Sequence, residues 1–150
     1  MSEQSIKKQL QDAVKASMRA KEKDRLIVLR MILAEFKQVE IDRRIELDHT
    51  EELTILDMME KQRKDSMMQF EQANRPELVE KELYEIGVIK EFKPPAMTDA
   101  EVKAEIDSAI AEVGASSIKD MGKVMAILKP KLQGRADMGV VSKKIKSQLA

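Results

Sequence analysis

From Gly114 to Val141 the sequence reads GASSIKDMGKVMAILKPKLQGRADMGVV, and four of the chain's five glycines (Gly114, Gly122, Gly134 and Gly139) fall within it. The residue types that could do chemistry here are cations rather than nucleophiles. Lys119, Lys123, Lys129, Lys131 and Lys143 supply point charges, Gly134 lets a backbone approach a ligand closely, and Arg135 can grip a phosphate with two parallel N–H bonds. A helix opening at Asp137 would add N–H groups, which favour an anion. Gly114 to Ala150 holds eight basic and two acidic residues, a net +6, against 19 basic and 25 acidic residues in 1–113, a net −6. A neutral chain with so basic a tail points to a polyanionic partner such as a nucleic-acid backbone. No aromatic residue lies in that tail, so base stacking is not expected. Recognition would go by shape and backbone, as for folded RNA.

Other chemistries are poorly supplied. There is no cysteine, which removes disulfides, thiol catalysis and thiolate metal sites. His49, the one histidine, stands in a polar turn at a helix start and fits a solvated turn residue. Ser116, Ser117 and Lys119 resemble a Ser–Lys nucleophile only superficially, because a helix cap accounts for both serines. Gly122-Lys123 lacks a glycine five residues before it (Gly114 is eight away), the hydroxyl residue after it and the preceding strand that a phosphate loop needs. Glu40, Glu60, Arg63, Glu82 and Glu85 all fall on otherwise apolar helical stripes. A di-iron bundle would want Glu-x-x-His pairs, so a charge network centred on Arg63, against Glu40 and one of Glu82 or Glu85, is expected instead. No catalytic residue, metal or cofactor is expected.

Helices must position all of this. The composition, 43% hydrophobic and 36% charged with only 3% aromatic, suits an all-α protein whose core is built of Leu, Ile, Val and Met. Ile6, Leu10, Val14 and Met18 predict a helix over 5–20. Leu26, Leu29, Leu33, Phe36 and Glu40 predict a second over 25–46, with Asp24 as its cap. Asp48 and Glu51 stand at capping-box spacing before a third helix running to about Ala73. Pro76 suits the first position of a fourth, where a charged stripe (Leu78, Glu82, Glu85, Ile89) overlaps an uncharged one (Val79, Leu83, Ile86, Ile89). Pro94-Pro95 cannot continue a helix and marks a boundary.

Residues 1–93 are thus expected to form an N-terminal helical domain of about four helices, and 97–150 a C-terminal three-helix domain. The second opens on the capping box Thr98–Glu101 and breaks at Gly114, the first helix carrying Val102, Ile106, Ala109, Ile110 and Val113. Its next helix starts at Ser116 or Ser117 and ends at Gly134, with Pro130 loosening the last turn. The last starts at Asp137, with Val140, Val141, Ile145 and Leu149 inward. Neither an apolar leader at Met1–Lys8 nor an apolar run of the roughly 18 residues that span a bilayer is present. A cytoplasmic location without membrane contact is the expectation.

Lys119-Asp-Met-Gly-Lys-Val-Met-Ala-Ile-Leu-Lys-Pro-Lys-Leu-Gln-Gly-Arg-Ala-Asp137 closely resembles the signature of the YqeY family. Arg25-Leu-Ile-Val-Leu-Arg-Met-Ile, Gln62-Arg-Lys-Asp-Ser-Met-Met-Gln-Phe70 and Arg75-Pro-Glu-Leu-Val-Glu-Lys-Glu82 resemble it too, in the same order. The C-terminal unit is similar to the tail domain of the B subunit of tRNA-dependent amidotransferases (GatB). Two departures stand out: Phe92-Lys-Pro-Pro replaces the usual Leu-Pro at the junction, and Met138-Gly139 follows Gly-Arg-Ala-Asp where the family has Gly then Lys. The resemblance implies two helical domains. It also implies an association with tRNA or other structured RNA, or with an amidotransferase or other protein subunit. Family members carry the description of glutamine-dependent carbon–nitrogen ligases through that relationship, but this chain has the tail without the parts that perform amide transfer. The expectation is an RNA-binding or amidotransferase-associated module using Lys119, Lys123, Lys129, Lys131, Gly134, Arg135 and Lys143. A protein-interaction adaptor working through the acidic N-terminal bundle is the alternative.

Overall fold

The computed structural model describes residues 5–150. The stretch Met1–Gln4, which enters the reading of the leader, lies outside them. The fold is all-α, with no strand among the described residues. The helices are α1 (Ile6–Arg19), α2 (Lys23–Arg43), α3 (His49–Gln72), α4 (Pro76–Glu91), α5 (Asp99–Val113), α6 (Met121–Leu132) and α7 (Met138–Leu149). The chain divides into two compact units, Met1–Lys93 and Pro94–Ala150.

In the first unit α3 and α4 pack as the most extensive pair, α1 lies on α2, and α2 touches both α3 and α4. Ile6, Leu10, Leu29, Ile32, Phe36, Leu56 and Ile89 are buried almost completely and form its core. Each such side chain contributes about 1.5–3 kcal/mol on leaving water. The stripe on α1 turns away from the one its spacing predicts. Ser17 is buried while Met18 is 54% exposed, because Ala13 and Val14 share the buried face and carry it on to Ser17. Start and end of α2 also differ from the sequence pattern. The cap position falls on Glu22, without a side-chain bond, and Asp24 lies inside the first turn. The helix stops at Arg43 because Arg44 takes a left-handed conformation (φ 54°). On α4 the buried face takes from both stripes: Glu85, Ile86 and Ile89 are inside, Glu82 is half-buried, and Leu83 is 51% exposed.

That packing puts charge inside the bundle, with partners different from those expected. Arg63 Nη2 lies 3.8 Å from Glu85 Oε1, and its Nη1 donates to the Met59 carbonyl at 3.2 Å. Glu40 is not in this network; it pairs with Lys7 of α1 at 3.1 Å. The reason is helix order, since α1 covers the end of α2 that carries Glu40. Glu60 belongs to a second cluster, 2.8 Å from Lys64 Nζ and 3.2 Å from Lys93 Nζ, and Lys93 also reaches Asp57 at 2.7 Å. Glu52 of α3, 2% exposed, accepts the Ile6 and Lys7 N–H groups at 3.2 and 2.9 Å. It thereby caps α1 from another helix.

The second unit is a three-helix arrangement in which α5, α6 and α7 each touch the other two. Val102, Ile106, Ala109, Val124, Leu128, Leu132, Val141, Ile145 and Leu149 form its core. Val140, expected inward, is 45% exposed. Adjacent positions on a helix differ by about 100°, and Val141 takes the inner place. Thr98 and Glu101 cap α5 reciprocally, and Gly114 closes it at φ 64°. Pro130 sits inside α6, which continues to Leu132.

Candidate nucleic-acid interface

The basic residues are carried by a turn, two helices and one tight loop. After Gly114 the chain bends through Ser116 and Ser117, whose N–H groups donate to Asp120 Oδ2 at 2.9 and 3.3 Å. These bonds, Ser116 first, hold the Asp120 carboxyl below its ordinary range, and Lys123 adds to the effect. Lys119 is exposed in the 3-10 turn Ile118–Asp120 that leads into α6. Because α6 buries Val124, Leu128 and Leu132, Lys123, Lys129 and Lys131 are left exposed. They do not form one stripe. Lys123 and Lys131 are little more than two turns apart and share a side, whereas Lys129 points to the other flank. Lys131 Nζ also lies 3.7 Å from Glu105 Oε2 of α5.

Gly134, buried and at φ 82°, makes the turn between α6 and α7. Arg135 is half-buried and serves its own unit: Nε donates to the Pro95 carbonyl at 3.0 Å, and its carbonyl accepts the Met97 N–H at 2.8 Å. It also adds to the field that keeps Glu101 below the usual carboxylate range, after the larger effects of the Thr98 N–H and hydroxyl. The opening of α7 differs from the expectation of N–H groups open to a ligand. Asp137 Oδ1 accepts those of Gly139 and Val140 at 2.9 and 3.3 Å, so the helix terminus already holds an anion. Lys143 is exposed on α7.

Sequence reasoning passed over Lys144. It is half-buried and lines an open groove of about 410 Å³ with Asp99, Ala100, Lys103, Ile106, Ser147 and Gln148. Its signal was its spacing, three residues from the buried Val141. The unit as a whole holds nine basic and seven acidic residues, a net +2. The charge is segregated within it: α5 carries five acids and one lysine, and everything after Gly114 is strongly basic. Among the described residues no group of three or more His, Asp or Glu side chains is placed to hold a metal ion. No helix among them is long and apolar enough to cross a membrane.

Residues 7–149 match the family described as Yqey-like protein. The chain belongs to the YqeY family. One relative is the altered inheritance of mitochondria protein 41, mitochondrial, of Lachancea thermotolerans, 33% identical over 113 residues and covering 72% of this chain. The chain spans 59% of that relative's length. The YqeY match runs through both units, from the bundle before Lys93 to the basic helices after Gly114.

Proposed function

We propose that this YqeY protein is a non-catalytic module that holds the phosphate backbone of a structured RNA through α6, α7 and the loops that flank them. Lys119, Lys123, Lys129, Lys131 and Lys143 make the contacts, and Gly134 and Arg135 shape the loop between the helices. The observation that carries this is the charge reversal at Gly114, where an acidic α5 gives way to a net +6. The resemblance of the same stretch to the GatB tail makes tRNA the first RNA to try and an amidotransferase subunit the first protein partner. The setting is a compartment that contains tRNA, the cytoplasm first.

The test is a titration of the whole protein against labelled tRNA at two or more salt concentrations. Each phosphate contact steepens the log–log dependence on salt by about 0.7–0.9. Replacing Lys123 and Lys131 together by alanine should flatten the slope by about 1.5. Arg135→Ala is a poor probe, because Arg135 also ties its loop to Pro95. No RNA binding at low salt removes this reading and leaves an adaptor that works through the N-terminal bundle.

A further inference from the structure

We propose that the outer face of α2 is a docking surface for a second copy of this chain, the two α2 helices lying parallel. Helix α2 is apolar on two opposite sides. Leu29, Ile32 and Phe36 face the core and are buried. On the far side Ile27 and Ile41 are each 59% exposed, Ala34 and Gln38 are exposed, and Met31 is half-buried. The order Ile27, Met31, Ala34, Gln38, Ile41 alternates steps of four and three, which is the seam spacing of a coiled coil. Nothing in the bundle's own packing calls for such a seam on its solvent side.

The charges beside the seam choose the partner and its direction. Arg30 and Lys37 line one edge, and Glu35 and Asp42 line the other. In a parallel pair each edge meets the opposite edge of the partner, so Arg30 faces Glu35 and Lys37 faces Asp42, on both sides of a two-fold axis. An antiparallel pair would set cations against cations and carboxylates against carboxylates. Gln38 falls at an inward position where it meets its own copy, a placement that fixes register. In the single chain it donates to Asp42 at 2.8 Å, a contact within one helix that pairing can exchange. Ala34 and Gln38 make the seam thin, so the association should be micromolar or weaker.

Sedimentation equilibrium of the full chain, from about 1 μM to about 1 mM, should show a rise from the 17.1 kDa of one chain toward twice that mass. Arg30→Glu with Lys37→Glu should weaken the association more than tenfold, and adding Glu35→Lys with Asp42→Lys should restore it. Arg30, Lys37 and Asp42 are exposed and Glu35 is half-buried at the edge, so circular dichroism should show the helix content retained in all variants. The chain has no cysteine, so single replacements report direction. Ile41→Cys should oxidise to a disulfide-linked dimer in a parallel pair, whereas an antiparallel pair would link only when Ile41→Cys is mixed with Ile27→Cys. One chain's mass at every concentration overturns the proposal and leaves the face to a helix of a different protein. Linking only in the mixture, or no recovery in the charge-swapped variant, overturns the parallel arrangement.

Discussion

Replacing Arg63 by leucine tests how the N-terminal bundle tolerates charge in its interior. The Arg63 and Glu85 side chains are only 14% and 7% exposed. Burial, and then the neighbouring Glu85, hold the Glu82 carboxyl above its ordinary range, with Arg63 working against them. Arg63→Leu therefore leaves two acids in poor solvent without the buried cation, with only Lys81 still acting on Glu82. Losing one partner of a buried pair costs about 3–5 kcal/mol. The lower end applies here, because the pair is 3.8 Å apart and Arg63 Nε is buried without a hydrogen-bond partner among the described residues. About 3 kcal/mol is a large share of the 5–15 kcal/mol typical of a folded domain. With a slope of about 1–3 kcal/mol per molar urea, the unfolding midpoint should fall by at least ~1 M.

The same logic fixes what the double variant does. Arg63→Leu with Glu85→Leu removes both charges and keeps the volume apolar, a change that is neutral or stabilising in comparable sites. Its stability should return to within about 1 kcal/mol of the parent, so the two single losses must be strongly non-additive. The pH dependence has a definite sign. A carboxyl whose folded-state pKa is raised binds its proton more tightly in the native protein, so its contribution favours folding below the unfolded pKa and is lost as pH rises through the folded one. The deficit of Arg63→Leu should consequently shrink as pH falls toward 4. An unchanged midpoint in Arg63→Leu, or a double variant as unstable as the two losses added, would refute this account of the interface.

Lys93 should behave as a bridge between carboxylates. Burial alone would lower its pKa, but bonds to Asp57 and then Glu60 raise it overall, while Glu60, despite its own burial, is lowered by Lys64 and Lys93. Lys93→Met should cost about 2 kcal/mol at pH 7, between the values for exposed and buried pairs, read from urea melts. The Lys93 contribution is complete below the unfolded lysine pKa and lost as pH rises through the raised folded one. Glu60's is present above its unfolded pKa and lost as pH falls through the lowered one. The gap between parent and variant should accordingly narrow at both ends of the range. Gly114→Ala meets no atom within 4 Å of the added carbon, so its cost is the left-handed backbone alone, about 1–2 kcal/mol, seen in the melting of the C-terminal unit. Asp137→Ala removes the α7 cap and should cost about 1 kcal/mol, measurable in the same way.

Local signals were readable before any coordinates. Asp48 with Glu51, Thr98 with Glu101, Pro76 and Gly114 each act within one turn of their own backbone, so spacing suffices to place them. The inward face of α4 was not readable, because Leu83 and Glu82 lie on neighbouring stripes and only the partner helix decides between them. Arg63 lies across from Glu85 and gives that buried acid a partner beside the buried Ile86 and Ile89. Glu52 was missed for a related reason: it caps a helix 46 residues earlier in the chain, and nothing near Glu52 announces a distant N-terminus. Lys7 and Glu40 pair across 33 residues, another contact that helix packing creates and local spacing does not. The seven candidate site residues were named from charge and glycine placement. What charge could not tell was that Arg135 is also engaged inside its own unit.

The capping pattern of the second unit limits the kind of anion contact that the proposed function can use. Glu101 accepts the Thr98 N–H and hydroxyl, Asp120 takes the N–H groups of Ser116 and Ser117, and Asp137 takes those of Gly139 and Val140. At α7 the leading N–H groups thus already rest on the helix's own carboxylate, and a phosphate would have to displace Asp137 to use them. Lysine ammonium groups on flexible stems must then carry the contact, with little fixed geometry. Such binding is long-ranged, sensitive to salt and indifferent to base identity. A protein that held RNA this way would discriminate by the spacing of phosphates across a folded surface. Lys123 and Lys131 on one side of α6, with Lys129 on the other, can straddle a ridge of backbone but cannot line a narrow groove.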